Sequence, residues 1–184
     1  MTREDTLALL KEHTKTDSLL KHAYGVEAAM RAYARKLGGD EEKWGTVGLI
    51  HDFDYEQNPD PAHHPEVGAR ILEARGYPAD VVYSVRAHAE YLDLPRTDAM
   101  SKALFAVVEL GGLIVAVALV RRGKSVVDVE VSSVKKKMKQ KSFAAAVSRE
   151  DIVRGAEELG VSLDEHIQVV IEAMRGIADE LGLG

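Results

Sequence analysis

An imidazole and a carboxylate stand side by side at His51-Asp52, delivered by the short apolar run 47–50 and followed at once by a polar, proline-containing loop. Neighbouring residues on a helix point about 100° apart, so this pair can grip one small centre only at a helix end or bend. The pairing makes little sense as core packing and good sense as metal ligands. Five of the seven histidines lie between residues 22 and 88. His22 sits on an amphipathic segment one turn before Val26, His63-His64 stand just before Pro65, and His88 falls in AHAEY (87–91). Each lies on or beside a helix end or an apolar face, so side chains from several helices can converge in one interior. Imidazole plus carboxylate without sulfur suits a divalent transition metal (Mn, Fe, Co, Ni or Zn), as one or two ions, rather than calcium, which prefers oxygen alone. His13 and His166 read instead as solvated or hydrogen-bonded side chains.

The elements that must hold these residues are helical. Residues 3–13 form a short amphipathic helix with Leu7, Leu9 and Leu10. Asp17 is placed to cap a second helix whose apolar positions Leu19, Leu20, Ala23, Val26, Met30, Tyr33 and Leu37 recur at helical spacing, and Gly38-Gly39 ends it. Asp40 caps a third, with Glu41 and Glu42 in its first turn, running into Ile50 and His51. NPDP (58–61) marks a turn. Pro65 opens a helix through Arg75 that Gly76 stops, and Pro78 opens another reaching Tyr91. A long apolar helix starts near Asp98. Valines 126, 127, 129 and 131 alternate as a strand would, yet the lysine-rich stretch that follows reads as helix, and short helices are expected here. Ser148-x-x-Asp151 and Ser162-x-x-Glu165 are capping-box starts for two closing helices, the last carrying Ile167, Val170, Ile171, Met174, Ile177 and Leu181 and ending at Gly182. The expectation is one all-α domain over residues 1–184.

Composition narrows the function. The net charge of −6 over 184 residues offers no global basic field for nucleic acid or anionic membrane. Without cysteine there is no disulfide and no thiolate metal site, which suits a cytoplasmic location. The polar, acidic opening MTRED argues against a secretory signal. Residues 103–120 are apolar enough to span a bilayer, but a central Glu109 and the lack of flanking aromatics favour a buried helix of a soluble protein.

The series His22, His51-Asp52, His64 and His88 resembles the ligand series of the HD superfamily of metal-dependent phosphohydrolases. The likeness extends to LIHDFDYE (49–56), HPEVGARIL (64–72), AHAEY (87–91), KALFAV (102–107) and the stretch from SSVKKKM (132–138) to LDEHI (163–167), which are similar to a bacterial and archaeal subgroup of HD hydrolases. The resemblance covers nearly the whole chain. It implies an all-α, HD-like helical bundle, a divalent metal at its centre and hydrolysis of a small phosphate ester, a phosphomonoester or phosphodiester. One position departs from the family pattern. The family supplies a last Asp ligand from the long buried helix, in a sequence like AVDELTGLI, whereas this chain reads AVVELGGLI (106–114), with Val108 at the ligand position. Glu109 is one residue on and rotated by about 100°. The family carries this Glu beside its Asp, which argues that it has another job.

On this reading His22, His51 and Asp52 hold a metal, and His64 and His88 complete it or bind a second ion. Such an ion lowers the pKa of bound water toward ~7 and neutralises phosphate oxygens. Asp52, Asp54 and Glu66 are the candidate catalytic carboxylates. Asp54 and Glu66 either orient water and protonate the leaving group, or order the loop and favour a helix N-terminus. The basic run 135–141, with Lys135 and Lys136, and Arg121 either receive substrate phosphate or form a solvated face. Two rival classes stand beside the hydrolase: a binding or regulatory module that lost catalysis through Val108, and a di-iron oxygenase, a ligand type found in some HD proteins. Oligomerisation is compatible with all three.

Overall fold

The computed structural model describes residues 2–184, and among them every regular element is helical. In chain order these are α1 (Arg3–His13), α2 (Asp17–Leu37), α3 (Glu41–Ile50), α4 (Glu66–Ala74), α5 (Ala79–Ala87), α6 (Ala99–Leu119), α7 (Val131–Met138), α8 (Arg149–Glu158), α9 (Leu163–Arg175) and α10 (Ala178–Leu181). A short 3₁₀ turn, Glu90–Leu92, follows α5. The capping signals act where the sequence puts them. Asp40 accepts from the Lys43 N–H, Asp98 from that of Ser101, Ser148 from that of Asp151, and Ser162 from that of Glu165. Gly38, in the left-handed region at φ 73°, stops α2.

Some boundaries move. Thr16 is the N-cap of α2, with Asp17 as the first helical residue. Pro65 caps α4 from outside it. Helix α5 stops at Ala87 rather than Tyr91: the Arg96 guanidinium takes the Ala87 carbonyl at 3.3 Å, and Asp93 turns the chain at φ 50°. The closing helix is two pieces, because the backbone bends at Gly176-Ile177 before α10 turns against α2. The valine stretch is a series of turns, with Val126 and Val129 buried.

The two 21-residue helices, α2 and α6, run through the middle. Every helix contributes to one cluster of buried apolar side chains, from Leu9 and Leu10 of α1 to Leu181 of α10. Helix α6 is long and apolar enough to cross a membrane by length and composition, but most of that stretch is buried among the other helices, as in the core of a soluble protein. Two glycines set the closest crossings. A Cβ at Gly48 of α3 would lie 2.9 Å from the Glu27 Cα and the Val26 carbonyl of α2. That contact brings His22, one turn before Val26, next to His51. A Cβ at Gly155 of α8 would lie 2.5 Å from the Ala106 Cα, so α8 rests directly on α6.

His166 ties α9 to both central helices. Its Nε2–H donates to the Ala106 carbonyl at 2.9 Å, and its Nδ1 accepts from the Tyr33 hydroxyl at 2.6 Å. Burial pushes its pKa from 6.5 down to about 4, outweighing the bond to Ala106, so the ring is neutral in the native state. A depressed histidine pKa means that the unfolded chain binds the extra proton between these values. The associated stability is complete above 6.5 and is lost as pH falls toward 4. His166→Gln preserves both hydrogen bonds without the titration. Chemical unfolding at pH 7 and pH 4 should show the wild type losing on the order of 3 kcal/mol more than the variant. Parallel losses would contradict this role.

Candidate metal centre

Three of the four clustered histidines leave the backbone at helix ends. His51 is the C-cap residue of α3 and His88 that of α5, while His64 lies in the turn just before α4. The helix ends at His51, so the backbone can bend there and turn Asp52 toward the same point as its neighbour. His22 reaches that point from α2.

Asp52 is the meeting place. Its Oδ2 faces the Nε2 atoms of His51 at 3.4 Å and His22 at 4.0 Å, and its Oδ1 faces those of His88 at 3.1 Å and His64 at 3.3 Å. Ring centroids stand 5.2 Å apart for His22 and His51, 5.3 Å for His51 and His88, and 5.4 Å for His64 and His88. Two triads result, His22–His51–Asp52 and Asp52–His64–His88, each with ligand atoms within 4.8 Å of one another.

The outer nitrogens set the protonation of the inner ones. The Nδ1 of His51 lies 2.8 Å from the Gly48 carbonyl, and that of His88 lies 2.5 Å from the Val85 carbonyl. A carbonyl only accepts, so both Nδ1 atoms carry hydrogen and, in the neutral rings, both Nε2 atoms turn a lone pair toward Asp52. The fully buried His51 Nε2 and the Asp52 Oδ1 have no hydrogen-bond partner. Lone pairs turned on a carboxylate repel one another unless a cation lies between them. This donor set, with each outer nitrogen bonded to an oxygen, fits a divalent metal. Burial works to raise the Asp52 pKa, but the surrounding imidazoles, in their protonated form, outweigh it and hold the carboxylate well below its usual range. Burial and the neighbouring His51 push His22 down to about 4. For His64, burial is outweighed by Asp52 and Asp54 on either side, which raise it to about 9.

The remaining predicted residues divide. Asp54 is fully buried behind His64: its Oδ1 accepts from His64 Nδ1 at 2.9 Å and its Oδ2 from the Gly68 N–H at 2.9 Å. Both oxygens are occupied, so Asp54 positions His64 and does not face a reacting water. Glu66 accepts from Arg86 with both oxygens, at 3.0 and 3.3 Å. Lys135 pairs with Asp164 at 2.6 Å, Lys136 is exposed, and Arg121 donates to Ser133 at 3.2 Å. None of these three basic residues lines the cleft beside Asp52.

That cleft, of about 350 Å³, is lined by Asp52, His64, His88, Tyr55, Tyr91, Phe105, Val108, Glu90, Glu109 and Asp151, together with Pro59, Pro61 and Ala89. Val108 therefore faces the same space as Asp52, and Glu109 lies beside it with its Oε2 accepting from the Ser148 N–H at 2.8 Å. Sequence reasoning missed Tyr55, Tyr91, Glu90, Phe105 and Asp151. The Tyr91 hydroxyl donates to the His64 carbonyl at 2.6 Å. Arg96 stacks 3.6 Å over Phe105 while bridging Glu90 and Glu158, which fastens the turn after His88 to α8. Only the spacing AHAEY hinted at Glu90 and Tyr91; the α8 contribution has no local signal. A second cleft of about 370 Å³ opens on the far side of His22, between Lys21, Gly112, Val115 and Leu183.

A sequence model of the HD domain family matches residues 19–118, an interval that contains all five clustered residues. The chain belongs to the HD domain family, whose domains bind divalent metals and are commonly metal-dependent phosphohydrolases. It is 29% identical over 108 residues to ribonuclease Y of Oleidesulfovibrio alaskensis, an alignment covering 58% of this chain and 20% of that protein. The chain thus spans about a fifth of the length of this curated relative. No solved structure matches the chain significantly.

Asp54→Asn tests the support behind His64. With one oxygen, Asn cannot accept from both His64 and Gly68. Metal affinity, measured by competition with a chromogenic chelator, should fall roughly 10- to 100-fold. Unchanged affinity would show that Asp54 does not support His64 in metal binding.

Proposed function

We propose that this chain is a metal-dependent phosphoesterase acting on a small phosphorylated molecule. The observation that carries the reading is the two-sided environment of Asp52, whose oxygens each face a pair of imidazole Nε2 atoms. His22, His51 and Asp52 would hold one ion, and Asp52, His64 and His88 a second. A bound divalent ion supplies there a water of lowered pKa and positive charge for the phosphate oxygens.

The chain's own residues provide the frame. Gly48 and Val85 carbonyls fix the rings of His51 and His88, and Asp54 fixes His64. Tyr55, Tyr91 and Phe105 give the substrate's organic part apolar and aromatic walls beside the cluster. Among the described residues, no lysine or arginine lines this cleft. The positive charge that receives a phosphate would then come from the histidine cluster and the metal it holds, which makes the activity metal-dependent. A cytoplasmic small-molecule enzyme is the setting we infer, with neither nucleic acid nor membrane as partner.

A specific observation favours a second reading, a binding module of reduced competence: an apolar Val108 occupies the wall where the family pattern has a carboxylate. It also alters metal choice. Each triad contains two imidazoles and shares one carboxylate, a nitrogen-rich set that favours zinc, cobalt or nickel over manganese.

Protein purified without chelator should contain bound metal and hydrolyse a generic phosphomonoester or phosphodiester. EDTA and His51→Ala should each reduce turnover to background. Val108→Asp should raise Mn²⁺ affinity roughly 10-fold or more, read by titration calorimetry. Metal binding without turnover in the wild type, with turnover gained in Val108→Asp, would establish the module instead.

A further inference from the structure

We infer that Glu109 is the proton donor to the leaving oxygen of the substrate ester, an assignment that rests on the hydrolase reading above. The crossing of α6 and α8 at Ala106 and Gly155 brings the first turn of α8 against the face of α6 that borders the cleft. Glu109 and Asp151 therefore line the same cleft as Asp52, His64 and His88. The Ser148 N–H anchors Glu109 through Oε2, while Oε1 has no hydrogen-bond partner among the described residues. One oxygen is fixed and the other is available to the cleft.

The other carboxylates of this wall are committed to cations. Glu90 is held by Arg96 at 3.0 Å and Arg154 at 2.6 Å, and Asp151 by Arg154 at 2.6 Å. Asp52 faces the imidazoles. Glu109 forms no ion pair within the described residues. Burial, with Asp151 and Asp52 nearby, raises its pKa despite the opposing Ser148 N–H and Arg149. It is the carboxyl of the cleft best suited to keep a proton and deliver it. The Tyr91 hydroxyl is committed to the His64 carbonyl, and His64 lies between Asp52 and Asp54.

In the step itself, a water oxygen forms the new bond to phosphorus and the bond from phosphorus to the leaving oxygen breaks, its electron pair staying on that oxygen. The Glu109 carboxyl proton passes to the leaving oxygen and gives the free alcohol. The attacking water's proton is released to solvent, from which the Glu109 carboxylate is reprotonated.

Glu109→Gln keeps an acceptor for Ser148 and removes the acidic proton. The metal-loaded full chain is assayed on an alkyl phosphate and on 4-nitrophenyl phosphate, whose phenolate leaves without a proton. The variant's kcat should fall about 100-fold on the alkyl ester and stay within a few-fold on the nitrophenyl ester, with metal content unchanged. Equal losses on both esters, or no loss on the alkyl ester, would overturn the role while leaving the hydrolase reading intact. Turnover of neither ester by the wild type would remove both. Should the variant not fold, the wild type decides: a shallow dependence of kcat on leaving-group pKa across a series of esters supports the donor, and a steep one overturns it.

Discussion

The carboxylate of Asp52 is shared by four imidazoles, and the carbonyls behind His51 and His88 hold the Nε2 atoms of both rings toward it. With its rings neutral such a cluster is internally repulsive, and protons on the imidazoles or a metal ion relieve it. His51 Nε2 and Asp52 Oδ1, buried without hydrogen-bond partners, record that imbalance. An unpaired buried polar atom ordinarily costs ~1–3 kcal/mol, a cost the packing of the surrounding helices offsets.

The rest of the fold can be read as the means of doing so. The close crossing at Gly48 fixes His22 against His51, and the ends of α3 and α5 release His51 and His88 inward. Asp54 ties His64 to the first turn of α4 through the Gly68 N–H. On the opposite wall, Arg96 and Arg154 both lie over the Phe105 ring and bind Glu90, Asp151 and Glu158, locking the turn beyond α5 to α8. The cleft between these walls is lined by carboxylates, aromatic rings and the imidazoles of His64 and His88.

Much of this was legible from local signals. Helix caps at Asp40, Asp98, Ser148 and Ser162 depend on residues three apart, and the chain writes them plainly. The histidine series was legible because each member stands at a helix end or on an apolar face. What stayed open or moved depends on tertiary contacts. Apolar spacing continues through Gly176-Ile177, so nothing local announced the break before α10. A lysine run says nothing about which way its face points, and Lys135 and Lys136 face away from the cleft. Asp54 could be read either as orienting water or as ordering the loop, because its partners, His64 and Gly68, lie 10 and 14 residues on. The contribution of α8, Asp151 beside Glu109, became visible only once Gly155 was seen to rest on Ala106.

Asp52 stands in two triads, each with a donor set that could hold a metal ion. Anomalous-difference crystallography of the chain grown with Zn²⁺ tests this most directly. We predict peaks between Asp52 Oδ2 and the His22–His51 pair and between Asp52 Oδ1 and the His64–His88 pair. Zinc found only at surface positions, with the cluster free of anomalous density at saturating metal, would contradict it.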